Sequence, residues 1–291
     1  ARQGGLVLLT ADSSVEVRGA VKLEVAPAWP DAGQIAELKR AGKSHEAGSL
    51  MRLRQALAAG RQLADAIRPQ LDRVGIRPPL TSSEPGIVVT RHAAGDVEYL
   101  FAVNASHDPE GDPMLGLKAV TATLGLPDDG RPVYDAVHGE SASGFQAVPE
   151  QRRLRGAYNF GPGQMRVFAR TARPIGSVKV ATPQLRRDFT ATQAPLALGL
   201  NAVVLDDQGG LLCGSIPLRL VVTDPLGVTR FDLYRATDRG SLALSLPLAL
   251  NDPPGQWKLT VTELLSSASG TPTFDPPRSE ERRVGKECRS R

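Results

Sequence analysis

The sequence predicts a mainly β protein with a helical N-terminal segment and two antiparallel β-sandwich domains. Three observations predict it. Apolar and polar residues alternate with a period of two over much of the chain after residue 85. Gly, Pro, Asp and Asn clusters separate those runs at the spacing of short strands joined by turns. Apolar residues at three- and four-residue steps occur in one long stretch, within the first 85 residues.

Composition agrees. Gly (29) and Pro (23) exceed the usual share of a 291-residue chain, which suits many turns. The hydrophobic share, 41%, is that of an ordinary globular protein, and the 4% aromatic content points to Leu/Val/Ala-rich cores. No apolar run approaches the roughly 18 residues of a membrane span, so none is expected.

Four segments follow. Residues 1–85 read as the end of an upstream α/β domain plus a helical connector. Leu6–Thr10 is a buried-type strand, and Val15, Val17, Val21, Leu23 and Val25 alternate as strands do. Asp31 caps a short helix. A long helix is predicted from Ser49 as N-cap to Val74, with Leu50, Leu53, Leu57, Leu63, Ile67 and Leu71 on one stripe and Pro69 as a kink. Residues 86–179 form a first β-sandwich-type domain. It has strands at Ile87–Val89, Val97–Val103, Leu117–Leu124, Pro132–Val137 and Met165–Ala169, with turns at Ala93–Asp96 and Asp128–Gly130. Residues 180–268 form the second, in which Ile216, Leu218, Leu220 and Val222 share one phase, Leu242 to Leu250 another, and Trp257, Leu259 and Val261 a third. Residues 269–291 are expected to be a disordered tail.

The tail carries most of the charge. Between Arg278 and Arg291 there are six Lys/Arg and three Asp/Glu, so 29 basic and 28 acidic groups remain on residues 1–277. A nearly neutral body has no basic stripe for nucleic acid, and no nucleic-acid partner is expected. The basic clusters Gln151–Arg155 and Arg186-Arg187 read as solvated loop charge. Cys213 and Cys288 are too far apart in sequence for a metal motif, and Cys213 beside Leu211-Leu212 reads as a small buried hydrophobe.

The motifs that suggest chemistry are few. Asp108, Glu110 and Asp112 alternate in one turn, a solvated hairpin loop or a Ca²⁺ site with oxygen ligands; the loop lacks the later bidentate Glu of an EF-hand. No cofactor is expected apart from that candidate Ca²⁺. Trp29, between Pro27 and Pro30, is the candidate for an exposed carbohydrate-stacking surface, whereas Trp257 reads as core. His45, His92, His107 and His138 are dispersed, with no paired-histidine zinc motif. His138-Gly139-Glu140-Ser141 holds residue types suited to general-base and nucleophile work, but no G-x-S-x-G elbow accompanies it. Gly161-Pro162-Gly163 and Gly209-Gly210 lack the Lys-Ser/Thr of a phosphate cradle, and Asn104-Ala105-Ser106 has the form of a glycosylation acceptor. No catalytic residue is assigned.

Val221-Val222-Thr223-Asp224-Pro225-Leu226-Gly227, Leu246-Pro247 and Pro254-Gly255-Gln256-Trp257-Lys258-Leu259-Thr260-Val261 resemble the immunoglobulin-like module of the macroglobulin type. The family's thioester motif C-x-E-Q is absent, so no covalent trapping is implied. Glu98–Asn104 with Pro132–Asp135 is similar to β-modules that follow catalytic domains in large bacterial glycosidase-like proteins. Gly4–Ser13 resembles the last strand region of a glutamine-amidotransferase-like domain. Residues 280–291 resemble a translated library or adaptor tail. These likenesses imply a fragment of a large secreted or envelope bacterial protein, with non-catalytic structural or docking modules. The partners they imply are other domains of the same polypeptide, and carbohydrate or protein. The runner-up is part of a carbohydrate-active hydrolase whose catalytic domain lies mostly upstream.

Overall fold

The computed structural model describes residues 5–26, 36–37, 40, 45–76, 78–107, 116–186, 196–249 and 252–275. The protein is mainly β, with one long helix near its N-terminus and several antiparallel sheets. The strands are β1 (Leu8–Leu9), β2 (Val21–Lys22), β3 (Thr81–Ser82), β4 (Ile87–Ala94), β5 (Val97–Asn104), β6 (Val120–Pro127), β7 (Val133–Asp135), β8 (Glu140–Ser141), β9 (Gln146–Val148) and β10 (Arg153–Phe160). They continue as β11 (Met165–Thr171), β12 (Ile175–Val180), β13 (Gln184–Arg186), β14 (Leu196–Asp206), β15 (Pro217–Thr223), β16 (Thr229–Ala236), β17 (Ser241–Leu248), β18 (Trp257–Glu263), β19 (Ser269–Gly270) and β20 (Thr273–Phe274). The helix, α1, spans His45–Arg73.

The chain divides into two compact units and passes between them repeatedly. One holds Ala1–Val89, Ala102–Pro127 and Leu154–Met165; the other holds Thr90–Phe101, Asp128–Arg153 and Arg166–Arg291. The segment expected as one module, 86–179, thus contributes strands to both.

In the first unit β1 and β2 pair in parallel, Leu8 opposite Val21. Val15 and Val17, expected in a strand, are exposed and lie outside strands, because the chain turns at residues 11–12 and 18–19. Helix α1 starts four residues before the expected Ser49 and runs through Pro69 to Arg73. Strands β3, β6 and β10 lie side by side in that order. The Gln151–Arg155 cluster, read as solvated loop charge, instead runs into β10. Its basic residues hide a period of two, in which Gly156 and Phe160 are buried while Arg155, Ala157 and Asn159 face solvent.

The second unit ends in a β-sandwich. One sheet has β14 at its centre, with β17 along one edge and β12 then β13 along the other. The other sheet runs β16-β15-β18, and β19 and β20 share the outer edge of β18. In chain order this is a seven-strand, three-plus-four arrangement, since β12/β13 and β19/β20 are each one interrupted strand. The inward phases interdigitate in a single core. Leu198, Leu200, Ala202, Val204, Leu246 and Leu248 meet Leu218, Leu220, Val222, Trp257, Leu259 and Val261. Trp257 is fully enclosed, as expected, and its indole N–H donates to the Pro253 carbonyl at 3.0 Å.

The start of the segment expected as a tail, 269–291, is built into the sandwich. Residues 269–274 pair with β18, and the buried Phe274 ring lies 6.2 Å from that of Trp257. Apolar packing of one aromatic holds this segment, which a composition reading misses. The remainder of that tail, 276–291, lies outside the described residues.

Candidate functional site

Two expected sites cannot be placed. Asp108, Glu110 and Asp112 lie outside the described residues, as does Trp29. Among the described residues no group of three or more His, Cys, Asp or Glu side chains is arranged to hold a metal ion.

The densest charged cluster is in the second unit, on the sheet ordered β4-β5-β11-β7-β8. Glu98 on β5 and Arg170 on β11 are both buried. Arg170 Nη1 donates to Glu98 Oε1 at 2.8 Å, and Arg91 Nε on β4 donates to Glu98 Oε2 at 2.6 Å. Arg170 also donates to Asp129, in the turn before β7, and Arg131 lies 3.9 Å from Glu98. Both oxygens of Glu98 are held by guanidinium groups. Such a carboxylate is held inside the sheet by cations, and the cluster acts as a clamp between strands. Sequence reasoning missed it, because Glu98 and Arg170 are 72 residues apart.

His138 is the best-oriented histidine. The Asp135 carboxylate accepts from His138 Nδ1 at 2.9 Å and from the Val137 and His138 N–H groups at 3.0 and 3.1 Å. Burial pushes the Asp135 carboxyl up, but these hydrogen bonds outweigh it and hold it below the usual value. Glu140 faces Asp135 across β7 and β8, and Ser141 faces Tyr134. No bond from His138 to a hydroxyl nucleophile accompanies the pair among the described residues. His92 is exposed and packs edge-on to Phe101 at 5.4 Å. His107 Nδ1 is enclosed without a hydrogen-bond partner among the described residues.

Three further buried carboxylates organise loops. Asp224 Oδ1 accepts from the Leu226 and Val228 N–H groups, both at 2.9 Å, and Oδ2 accepts from Arg230 Nε at 2.8 Å. Gly227, at φ 80°, completes the turn, so the Asp-Pro-Leu-Gly motif is hairpin chemistry. Asp206 Oδ1 accepts from Gln208 N and Gly210 N at 2.9 and 2.7 Å. Glu263 accepts from the N–H of Leu265 at 2.9 Å and of Ser266 at 2.6 Å. Burial, then the nearby Glu263 charge, pushes the Tyr99 phenol well above its usual value, and its hydroxyl donates to the Ser215 carbonyl at 2.8 Å.

The Asp224 loop makes an acid-stability prediction. Burial raises its carboxyl pKa, but the Val228 N–H, the Arg230 guanidinium and the Leu226 N–H hold it below the ordinary value. A depressed folded value stabilises above the unfolded value near 3.9, and that contribution is lost as pH falls through the folded value. The urea midpoint should therefore fall as pH drops below about 4. Asp224→Asn should show a shallower fall. An equal slope in both proteins would remove Asp224 as a contributor.

Cys213, expected in the core, is exposed; Leu212 takes the buried phase instead. The Cys213 backbone is nonetheless held. Its carbonyl accepts from Asp96 N at 2.6 Å and its N–H donates to Asp96 Oδ2 at 2.9 Å. Gly95, at φ 62°, allows this approach, since a Cβ there would lie 2.0 Å from the Cys213 oxygen. Gly95→Ala is expected to cost at least about 2 kcal/mol by urea unfolding. Gly60→Ala, in open space within α1, should be neutral or stabilise by up to about 1 kcal/mol.

In the first unit Asn104 is buried. Its amide donates to the Lys118 and Gly161 carbonyls at 2.7 and 2.8 Å, and its Oδ1 accepts from Ser106 N at 2.9 Å. An amide nitrogen with both hydrogens engaged in the interior is not open to glycan attachment, so the acceptor triplet is a structural latch.

No family model matches the chain, and no curated protein matches it. Among solved structures, the glycoside hydrolase domain of Endo-D from Streptococcus pneumoniae R6 aligns at 9% identity and a TM-score of 0.24, covering 67% of this chain and 37% of that one. An endonuclease/exonuclease/phosphatase from Beutenbergia cavernae DSM 12333 aligns at 13% identity and a TM-score of 0.19, covering 49% and 46%. The chain thus spans less than half the length of either protein, and likenesses this low carry neither fold nor function across.

Proposed function

We propose that this chain is a non-catalytic structural or docking part of a larger secreted or envelope bacterial protein, with its sandwich built as an immunoglobulin-like module. One observation carries the reading. The four buried carboxylates among the described residues, Glu98, Asp206, Asp224 and Glu263, are each engaged by backbone N–H groups or by arginine. A glycosidase needs two carboxylates free to meet a sugar across one cleft. The three-plus-four strand order favours the immunoglobulin-like assignment, because sandwiches of that type split their strands in this way.

The full chain is expected to give no turnover of a panel of aryl glycosides and polysaccharides. Steady hydrolysis that co-elutes with the monodisperse protein would overturn the non-catalytic reading.

A further inference from the structure

Helix α1 carries a pattern that its own unit does not use up. Positions 50, 53, 57, 60, 64, 67, 71 and 74 alternate three- and four-residue steps. They hold Leu50, Leu53, Leu57, Gly60, Ala64, Ile67, Leu71 and Val74, with no charged or amide side chain among them. This is the a/d spacing of a helix that packs along another helix. Flanking it at seven-residue steps stand Arg54, Arg61 and Arg68, all at e positions, whereas the g positions are Ala56, Leu63 and Gln70.

The described half of the helix shows which side is open. From residue 58 to 76 no side chain is buried. The half-covered positions include Ala59, Leu63, Ala66 and Gln70, on the g flank. On the seam, Gly60 and Ala64 are exposed, Ile67 and Leu71 half-buried, and Val74 is 50% exposed. A Cβ at Gly60 would meet nothing within 4 Å, so a partner can approach closely there. Arg61 and Arg68 are exposed beside it, and the Arg68–Asp65 pair, at 3.7 Å, has both side chains more than 70% exposed. Such a pair holds little energy and does not neutralise the flank. Pro69 falls at f, opposite the seam, where its ring does not obstruct a partner.

We propose that α1 docks an amphipathic helix of another domain or protein that carries carboxylates along one flank. The e-position arginines set the charge of the partner. Against a second copy of this chain they give Arg facing Arg in an antiparallel pair, and Arg61 facing Ala56 and Arg68 facing Leu63 in a parallel one, so self-pairing gains no attraction. Against a bilayer, the exposed Asp65 and Asp72 on the outer side of the arginine flank would meet the same anionic headgroups that attract the arginines. An acidic flank meets the exposed Arg61 and Arg68 at once. The inference gives the docking part of the proposed function a partner class; its failure would leave the glycosidase assay untouched.

The test uses the full chain and two labelled helical peptides of equal length, both Leu-rich at a and d, one with Glu and the other with Lys at e and g. Fluorescence anisotropy should show the Glu peptide binding about tenfold or more tighter, with the advantage shrinking at high salt. Arg61→Gln with Arg68→Gln should abolish the preference, and Arg61→Glu with Arg68→Glu should reverse it. Both sites are exposed, so far-UV circular dichroism should be unchanged. Equal affinity for the two peptides, or no binding, overturns the proposal. So does self-association in sedimentation that the Glu peptide cannot compete, which identifies a second copy. Co-sedimentation with phosphatidylserine vesicles without peptide binding also overturns it, in favour of a membrane surface.

Discussion

Glu98→Leu is expected to destabilise the protein by about 3–5 kcal/mol, the usual cost of stranding one partner of a buried ion pair. Arg170 is buried on β11, and its Nη1 loses the 2.8 Å acceptor. Asp129 still accepts from Arg170, but it sits in a half-exposed turn and cannot replace a carboxylate inside the sheet. The companion variant separates charge from packing. Glu98→Leu with Arg170→Met removes both charges and should recover most of the loss, because an apolar pair of similar volume incurs no desolvation penalty. Urea unfolding of the parent and the two variants measures both. A cost below about 1 kcal/mol for Glu98→Leu alone would mean that the clamp contributes no more than an exposed pair.

Trp257→Ala should cost about 3–5 kcal/mol, because it empties the centre of the sandwich core. The ring is fully enclosed, Leu259 and Val261 extend the same inward phase, and Phe274 packs beside it. Trp257→Phe should retain most of that stability, losing mainly volume and the hydrogen bond to Pro253. Ending the chain at residue 268 should also destabilise the sandwich, since it removes the two short strands paired with β18 and the Phe274 ring. Chains cut at 268 and at 275 can be compared by thermal unfolding. Equal midpoints would return residues 269–275 to the status of a tail.

Much of the β architecture is legible along the chain. Leu218, Leu220 and Val222, and then Trp257, Leu259 and Val261, alternate cleanly because each strand has one face in the core and one in solvent. The Asp224–Gly227 turn is equally plain, since Asp, Pro and Gly each do local work there. Strand β5 is different. Its large residues Val97, Tyr99, Phe101 and Val103 look like the inward phase, yet of these only Val97 is buried, and Glu98, Leu100, Ala102 and Asn104 are the buried row. With β4 and β11 on its two sides, β5 is an interior strand, and residue size then ceases to mark the core face.

By itself the sequence determined the local chemistry: the period-two strands, the turns, the long helix and the near-neutral body. All of these depend on neighbours a few residues away. Only the tertiary structure decided that Glu98 meets Arg170, that Asp96 holds Cys213 in the open, and that Phe274 belongs to the core. Those outcomes join residues from about 17 to 117 positions apart. Such contacts form only when strands from distant parts of the chain reach one sheet in register, and no local pattern carries that pairing.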